Sequence, residues 1–189
     1  MLVVLGLIVA GCSEPTLAGI VREPPPAVSE ISLPDMATGG EEFSTTAEPG
    51  GLLLVYFGYT NCPDICPTTM ADLRKALTDL GDGVERIEVA MITVDPERDI
   101  PDRLVAYIQS FFDDGHALRT EDPAKLRTAA DAFGVSYEVT TGESGVTEVA
   151  HSAFLFAVDA TGHIVVQWPF GTTWQDIRDD LDKLLKKET

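Results

Sequence analysis

The fold is decided by the stretch LLLVYFGYTNCPDICP, residues 52–67, in which an apolar run leads into two cysteines. The run at residues 52–57 is apolar and bounded by glycines, which predicts a buried strand. Apolar residues then recur at helical spacing as far as Gly81, a natural helix terminator; they are Met70, Leu73, Leu77 and Leu80. We therefore expect Cys62 and Cys66 in the turn between a strand's carboxyl end and a helix start, where open α/β sheets bind ligands.

The prolines make this placement more specific. Pro67 suits the first position of a helix, because its missing N–H costs nothing there, and it disfavours helical torsions at Cys66. Cys66 is thus expected at or near the N-cap, where the helix dipole favours thiolate over thiol. Thiolates bind metals and attack disulfides. A structural disulfide across so short a loop would stabilise the fold only weakly, so we interpret the pair as a redox or metal site.

The chain is acidic and has the composition of a globular protein. Its 189 residues are 44% apolar, enough for one ordinary domain and a short extra segment. The formal net charge of −18 disfavours nucleic acid and anionic membrane surfaces as partners, since both are polyanions.

The N-terminal residues differ in character from the remainder. Residues 1–12 contain an apolar run too short to span a bilayer, which is typical of an export signal. The ending Val9-Ala10-Gly11-Cys12 resembles the bacterial lipobox, which implies lipidation of Cys12 and anchoring to the outer face of the cytoplasmic membrane. Residues 13–30 are proline-rich and predict an extended tether. Export would place the cysteine pair in an oxidising compartment.

Residues 31–189 predict one α/β domain. Glycines near residue 39 indicate an N-terminal hairpin, and the polar residues 135–150 indicate an exposed hairpin or loop. The other predicted elements, in order, are a strand at 87–94, helices opening at Pro101 and Pro123, strands at 152–158 and 164–168, and a helix capped by Thr173. This order predicts a thioredoxin-like fold, with a central mixed sheet flanked by helices.

The topology brings a third candidate ligand to the cysteines. A strand–helix–strand crossover makes the strands at 52–57 and 87–94 parallel, so Asp95 emerges on the same sheet edge as Cys62. His151 directly precedes the strand at 152–158. If that strand runs antiparallel to the first, its start lies at this same edge, beside the cysteines. His116 and His163 are interpreted as loop and turn residues.

Two thiolates and one imidazole form a soft donor set. Such a set suits copper, with zinc as the standard competitor. Zinc would normally require a fourth ligand at a closed structural site, whereas copper(I) accepts two or three. Met70 could serve as a soft auxiliary ligand, but it continues the apolar helix face and is interpreted as core.

Three separated motifs resemble the Sco/SenC family of thioredoxin-like, membrane-anchored copper-binding proteins used in cytochrome c oxidase assembly. They are GYTNCPDICP at 58–67, DPERD at 95–99, and His151. The resemblance covers about residues 31–189. It implies Cys62, Cys66 and His151 as ligands of a copper ion, Cu(I) or Cu(II), and Asp95 as a residue that supports them or docks a partner.

Two functions remain open. The first is a copper-binding assembly factor that serves the binuclear copper site of cytochrome c oxidase subunit II, with other copper chaperones or thiol reductases as further partners. The second is a thiol–disulfide oxidoreductase in which Cys62 and Cys66 keep the target's cysteines reduced. A general thioredoxin role is disfavoured, because three residues separate the cysteines and no proline precedes Ala153. A peroxidase is disfavoured because the cysteine motif holds no arginine.

Overall fold

The computed structural model describes residues 16–142 and 145–187. The strands are β1 (Ser32–Asp35), β2 (Glu41–Ser44), β3 (Leu52–Gly58), β4 (Ile87–Thr93), β5 (His116–Leu118), β6 (Tyr137–Thr141), β7 (Thr147–His151), β8 (Phe154–Val158) and β9 (Ile164–Pro169). The helices are α1 (Ile65–Leu80), α2 (Pro101–Gln109), α3 (Pro123–Phe133) and α4 (Trp174–Lys187). Among the described residues, no helix has the length and apolarity needed to cross a bilayer.

Seven strands form one mixed sheet in the order β2-β1-β5-β4-β3-β8-β9. β4 lies parallel to both β3 and β5, whereas β8 lies antiparallel to β3 and to β9. The predicted N-terminal hairpin is confirmed as β1–β2. β8 runs antiparallel to β3, as the predicted placement of His151 beside the cysteines required.

The sheet is covered on both faces. Every residue of β3 is buried, and successive side chains point to opposite faces. Leu54 and Tyr56 join a core with α1, α2 and α4, while Val55 and Phe57 join a second core with α3. A thioredoxin-like α/β fold with a central mixed sheet flanked by helices is thus confirmed.

Helix α1 begins two residues earlier than predicted. Asp64 is its N-cap, so Cys66 is the second helical residue and not the cap, and Pro67 is the third. A proline anywhere in the first turn is tolerated, because the first four N–H groups of a helix have no partner within it. Cys66 therefore belongs to the first turn of the helix, and its side chain is fully buried.

A strand that the sequence did not predict runs through the expected loop around His116. The strand is β5, and His116 pairs there with Ala90 of β4. The interpretation of His116 as a loop residue was wrong: its Nδ1 lies 2.8 Å from the buried Asp35 carboxylate, and its Nε2 lies 3.5 Å from Glu88. These contacts join the N-terminal hairpin to the sheet.

The described part of the predicted tether, residues 16–30, lies against the domain. The fully buried carboxylate of Asp180 on α4 accepts hydrogen bonds from the N–H groups of Ala18 and Gly19, at 2.9–3.0 Å. Isolated antiparallel bridges to or beside β9 join Ile20 with Gln167 and Ala27 with His163. Over residues 16–30 the structure thus differs from the expected free tether, because β9 and the Asp180 carboxylate form hydrogen bonds with the backbone of this segment.

The predicted hairpin between residues 135 and 150 is present as β6–β7. Its two strands form a sheet of their own, in which Tyr137 is the partner of His151. His151 therefore ends β7, and β8 begins only at Phe154.

Candidate metal centre

The structure brings two of the predicted ligands into contact. The Cys66 sulfur and the His151 Nε2 atom are 3.6 Å apart, although 85 residues separate them in the chain. Zinc–sulfur and zinc–nitrogen bonds of ~2.3 and ~2.0 Å at a tetrahedral angle would place the two donors about 3.5 Å from each other. The observed separation of 3.6 Å fits an S–H···N contact in the metal-free protein, and it is also compatible with a shared ion.

The His151 ring presents a free nitrogen to this position. Its Nδ1 lies 3.1 Å from the Ser152 carbonyl oxygen, which can only accept, so Nδ1 carries the proton. Nε2 then directs its lone pair toward Cys66. Burial lowers the pKa of His151, which favours the neutral ring that a metal binds.

The two cysteines differ in exposure. Cys62 lies half-buried in the turn, whereas Cys66 is buried, and the Cys66 N–H donates to the Cys62 sulfur at 3.3 Å. Burial raises the pKa of Cys66 to about 12, so the prediction that its position favours the thiolate is wrong for the metal-free state. Desolvation outweighs the helix dipole here, and Cys66 would ionise when a cation binds it.

Aromatic side chains that the sequence analysis overlooked surround the imidazole. The rings of Tyr56 and Tyr59 meet His151 edge-on, at centroid distances of 6.1 and 5.9 Å. Among the described residues, the buried hydroxyls of Tyr56 and Tyr107 have no partner at full hydrogen-bond geometry, although the Tyr56 hydroxyl lies beside Cys66 and Thr69. Burial raises the pKa of both phenols, so they remain neutral donors. A tyrosine within a strand otherwise built of aliphatic residues and phenylalanine was the available signal.

Gly58 leaves space between the site's side chains. A Cβ at this position would lie 2.7 Å from the Tyr56 ring and 3.2 Å from the Cys66 sulfur. A side chain there would displace the sulfur or the ring, so the glycine is needed for their close approach.

Asp95 contacts an arginine and not the cysteines in the contacts that the structure shows. It is 2% exposed, and its Oδ2 lies 2.5 Å from Arg98 Nε. Burial raises the pKa of Asp95, and the hydrogen bond from Arg98 opposes that rise. Asp95 thus supports the loop after β4, and the role beside the ligands or in docking a partner that the resemblance implied stays a prediction.

Asp99 is a supporting residue to which the sequence analysis assigned no role. Its fully buried carboxylate accepts from the Thr60 N–H at 3.0 Å, the Thr60 hydroxyl at 2.5 Å and the Thr93 hydroxyl at 2.6 Å. These bonds fix the start of the cysteine loop to the end of β4. The available signal was a second aspartate in the short segment 95–99.

Met70 and Cys12 are the remaining candidate residues. Met70 is fully buried among core residues, as interpreted. Cys12 lies outside the described residues. Within residues 16–142 and 145–187, no three His, Cys, Asp or Glu side chains are assembled as a finished metal site. Coordination by Cys62 together with Cys66 and His151 therefore stays a prediction.

The chain is similar to known proteins in sequence and in fold. A SCO2-like protein of Rickettsia felis is 31% identical over 144 residues, covering 75% of this chain and 70% of that protein. The structure of Bradyrhizobium japonicum ScoI with copper bound matches with 27% identity and a TM-score of 0.69, over 81% of this chain and 96% of that one.

A third similar protein shows the same fold at lower identity. It is BsSco, described as a member of the Sco family of cytochrome c oxidase assembly proteins with a disulfide switch; it is 23% identical, with a TM-score of 0.64, over 86% of this chain and 95% of that one. The family model for SCO1/SenC matches residues 32–186. With its cysteine turn, histidine hairpin and mixed sheet, this chain therefore belongs to the SCO1/SenC family.

Proposed function

We propose that this protein binds copper through Cys62, Cys66 and His151 and delivers it to the binuclear copper site of cytochrome c oxidase subunit II. The observation that carries the proposal is the meeting of the Cys66 sulfur and the unprotonated His151 nitrogen at 3.6 Å. Copper bound to ScoI and the description of the Sco family as oxidase assembly proteins support the cargo and the target.

The exposure of the three side chains suits a cargo that must enter and leave. Cys62 is half-exposed and can meet an incoming donor or a departing acceptor, while Cys66 and His151 retain the ion from the inside. Binding requires both thiols to be reduced and to lose their protons, so copper loading depends on redox state and on pH.

A thiol–disulfide oxidoreductase is the second candidate, and the asymmetry of the cysteines favours it. The Cys62 thiolate would attack a target disulfide and release one target thiol, and the buried Cys66 would then displace the second from the mixed disulfide. The target gains two electrons and two protons, and the protein keeps a Cys62–Cys66 disulfide. A thiol reductase would then have to reduce that bond.

The variant His151→Ala separates the two functions. It is made in a Cys12→Ser chain, so that Cys62 and Cys66 are the only thiols. We expect copper affinity, measured by competition with a chelator, to fall by about 100-fold because a ligand is lost. Exchange with a model disulfide should largely survive, and His163→Ala in a surface turn is the matched control. Unchanged copper retention with collapsed exchange would instead favour the reductase.

We also infer that the chain is exported and tethered to the outer face of the cytoplasmic membrane through a lipid on Cys12. The apolar run in residues 1–12 and its lipobox-like ending support this placement. An extracytoplasmic location would put the cysteine pair where oxidation competes with copper loading.

A further inference from the structure

The hairpin that carries His151 is separate from the main sheet. Within the part of the chain that the structure describes, β6 and β7 pair only with each other, and His151 lies at the base of the hairpin, opposite Tyr137. At that base, the Ser152 N–H donates to the Ser136 carbonyl oxygen at 2.9 Å. Among the described residues no ladder joins the hairpin to the seven-stranded sheet. The position of the imidazole therefore depends on the short connection from His151 to β8 and on side-chain contacts, which include the packing of Tyr137 and Val149 against the core.

Arg98 makes such a contact, and its own side chain is held in place by Asp95. Its Nη1 donates to the Thr147 carbonyl oxygen, at the start of β7, at 3.4 Å. Its Nε donates to the Asp95 carboxylate at 2.5 Å, and Asp95 is itself held by its own N–H, which donates to the Thr93 hydroxyl at 3.0 Å. The guanidinium therefore joins the hairpin to the end of β4.

The same guanidinium also lies near the ring that flanks the imidazole. Its central carbon is 6.0 Å from the Tyr59 ring centroid, and Tyr59 meets His151 edge-on at 5.9 Å. Arg98 thus contacts the hairpin backbone and one of the two aromatic walls of His151. Loss of its side chain would loosen both.

A second arginine holds the other strand of the hairpin. Arg127 on α3 donates to the Tyr137 carbonyl oxygen at 3.4 Å and lies 4.0 Å over the Tyr137 ring. Both arginines belong to the main body of the domain and each binds a carbonyl of the hairpin. Of the two, only Arg98 is also placed beside the ring that contacts His151.

We propose that Arg98 is a positioning residue for His151, holding the β6–β7 hairpin so that the imidazole faces the Cys66 sulfur. The proposal rests on the proposed copper function and deepens it. With Arg98 engaged, the site offers two sulfurs and one nitrogen. With the hairpin released, only the two sulfurs remain, and copper dissociates more readily.

The first test needs no copper. We compare Arg98→Gln with Arg74→Gln, which removes the same charge from an exposed position on α1. Loss of one charge-assisted hydrogen bond should speed hydrogen exchange of the β6–β7 amides about tenfold relative to β3 amides, and should shift the His151 ring signals in long-range ¹H–¹⁵N spectra. Wild-type exchange and ring signals in Arg98→Gln would overturn the proposal.

The second test asks whether Arg98 acts through His151. Arg98→Gln should weaken copper retention about tenfold in the otherwise unchanged chain, and should have no further effect when His151→Ala is already present. An equal loss in both backgrounds would mean that Arg98 acts on the sulfurs directly, and would overturn the positioning role. If the unchanged chain binds no copper, the proposed function fails, while the copper-free test still decides the role of Arg98.

Discussion

Replacing Asp99 by asparagine should loosen the cysteine loop without touching a cysteine. The Asp99 carboxylate accepts three hydrogen bonds at 2.5–3.0 Å, two from Thr60 and one from the Thr93 hydroxyl. The amide of asparagine has one acceptor oxygen and would turn an NH₂ group toward one of these donors. At least one buried donor is then left without an acceptor.

The cost follows from the number and kind of bonds affected. A hydrogen bond to a charged group contributes about 1.5–3 kcal/mol, and removing a buried charge from the interior returns part of this. We therefore expect the free energy of unfolding to fall by about 2–3 kcal/mol. For a chain of this length that corresponds to a decrease in Tm of roughly 5–10 °C.

Urea denaturation and the alkylation rate of Cys62 measure the two consequences. Asp99→Asn should lower the urea midpoint with an unchanged slope, and should speed alkylation at Cys62, two residues beyond Thr60. Asp113→Asn, in an exposed loop, is the matched control and should change neither. If Asp99→Asn were as stable as the unchanged chain, the three bonds could not be what fixes the loop.

Two further variants test buried polar groups. Tyr56→Phe removes a buried hydroxyl that lies beside Cys66 and Thr69 but has no partner at full hydrogen-bond geometry among the described residues, so the free energy of unfolding should rise by about 1 kcal/mol in urea titrations. A decrease would show that the hydroxyl is bonded to Cys66 or Thr69. For His116, burial lowers the pKa, but hydrogen bonds with Glu88 and Asp35 outweigh it, and the folded-state pKa is raised. The protonated ring therefore stabilises the fold fully below the unfolded pKa of about 6.5, and this contribution is lost as pH rises through the folded pKa. Between pH 6 and 8.5 the unchanged chain should lose more stability than His116→Gln, and equal losses would contradict the assignment.

The sequence was sufficient to place the candidate ligands at one sheet edge. A buried strand bounded by glycines, followed by helical spacing, located Cys62 and Cys66, because such patterns are local. To place His151 at the same edge, only the direction of β8 relative to β3 had to be inferred. Parallel crossovers and short hairpins restrict that choice strongly, so the meeting could be inferred across 85 residues.

Features that depend on packing were not predictable in the same way. β5 has only three residues, too few to show a period. The role of its His116 depends on Asp35 of β1, which lies beside β5 in the sheet but 81 residues away in the chain. The state of Cys66 depended on a balance between helix dipole and burial, and burial is a property of the whole fold. Asp99 likewise acquires its role from Thr60, which lies in another segment.

The docked N-terminal segment has a consequence for contacts between molecules. β9 is one of the two edge strands of the main sheet, and residues 16–30 run along its open side, held by the Asp180 carboxylate that also accepts from the Trp168 indole at 3.0 Å. An uncovered outer strand offers its free backbone groups to the same strand of another copy. A chain that begins at residue 31 would therefore self-associate more readily than one that keeps residues 16–30, even if its cysteine site were unchanged.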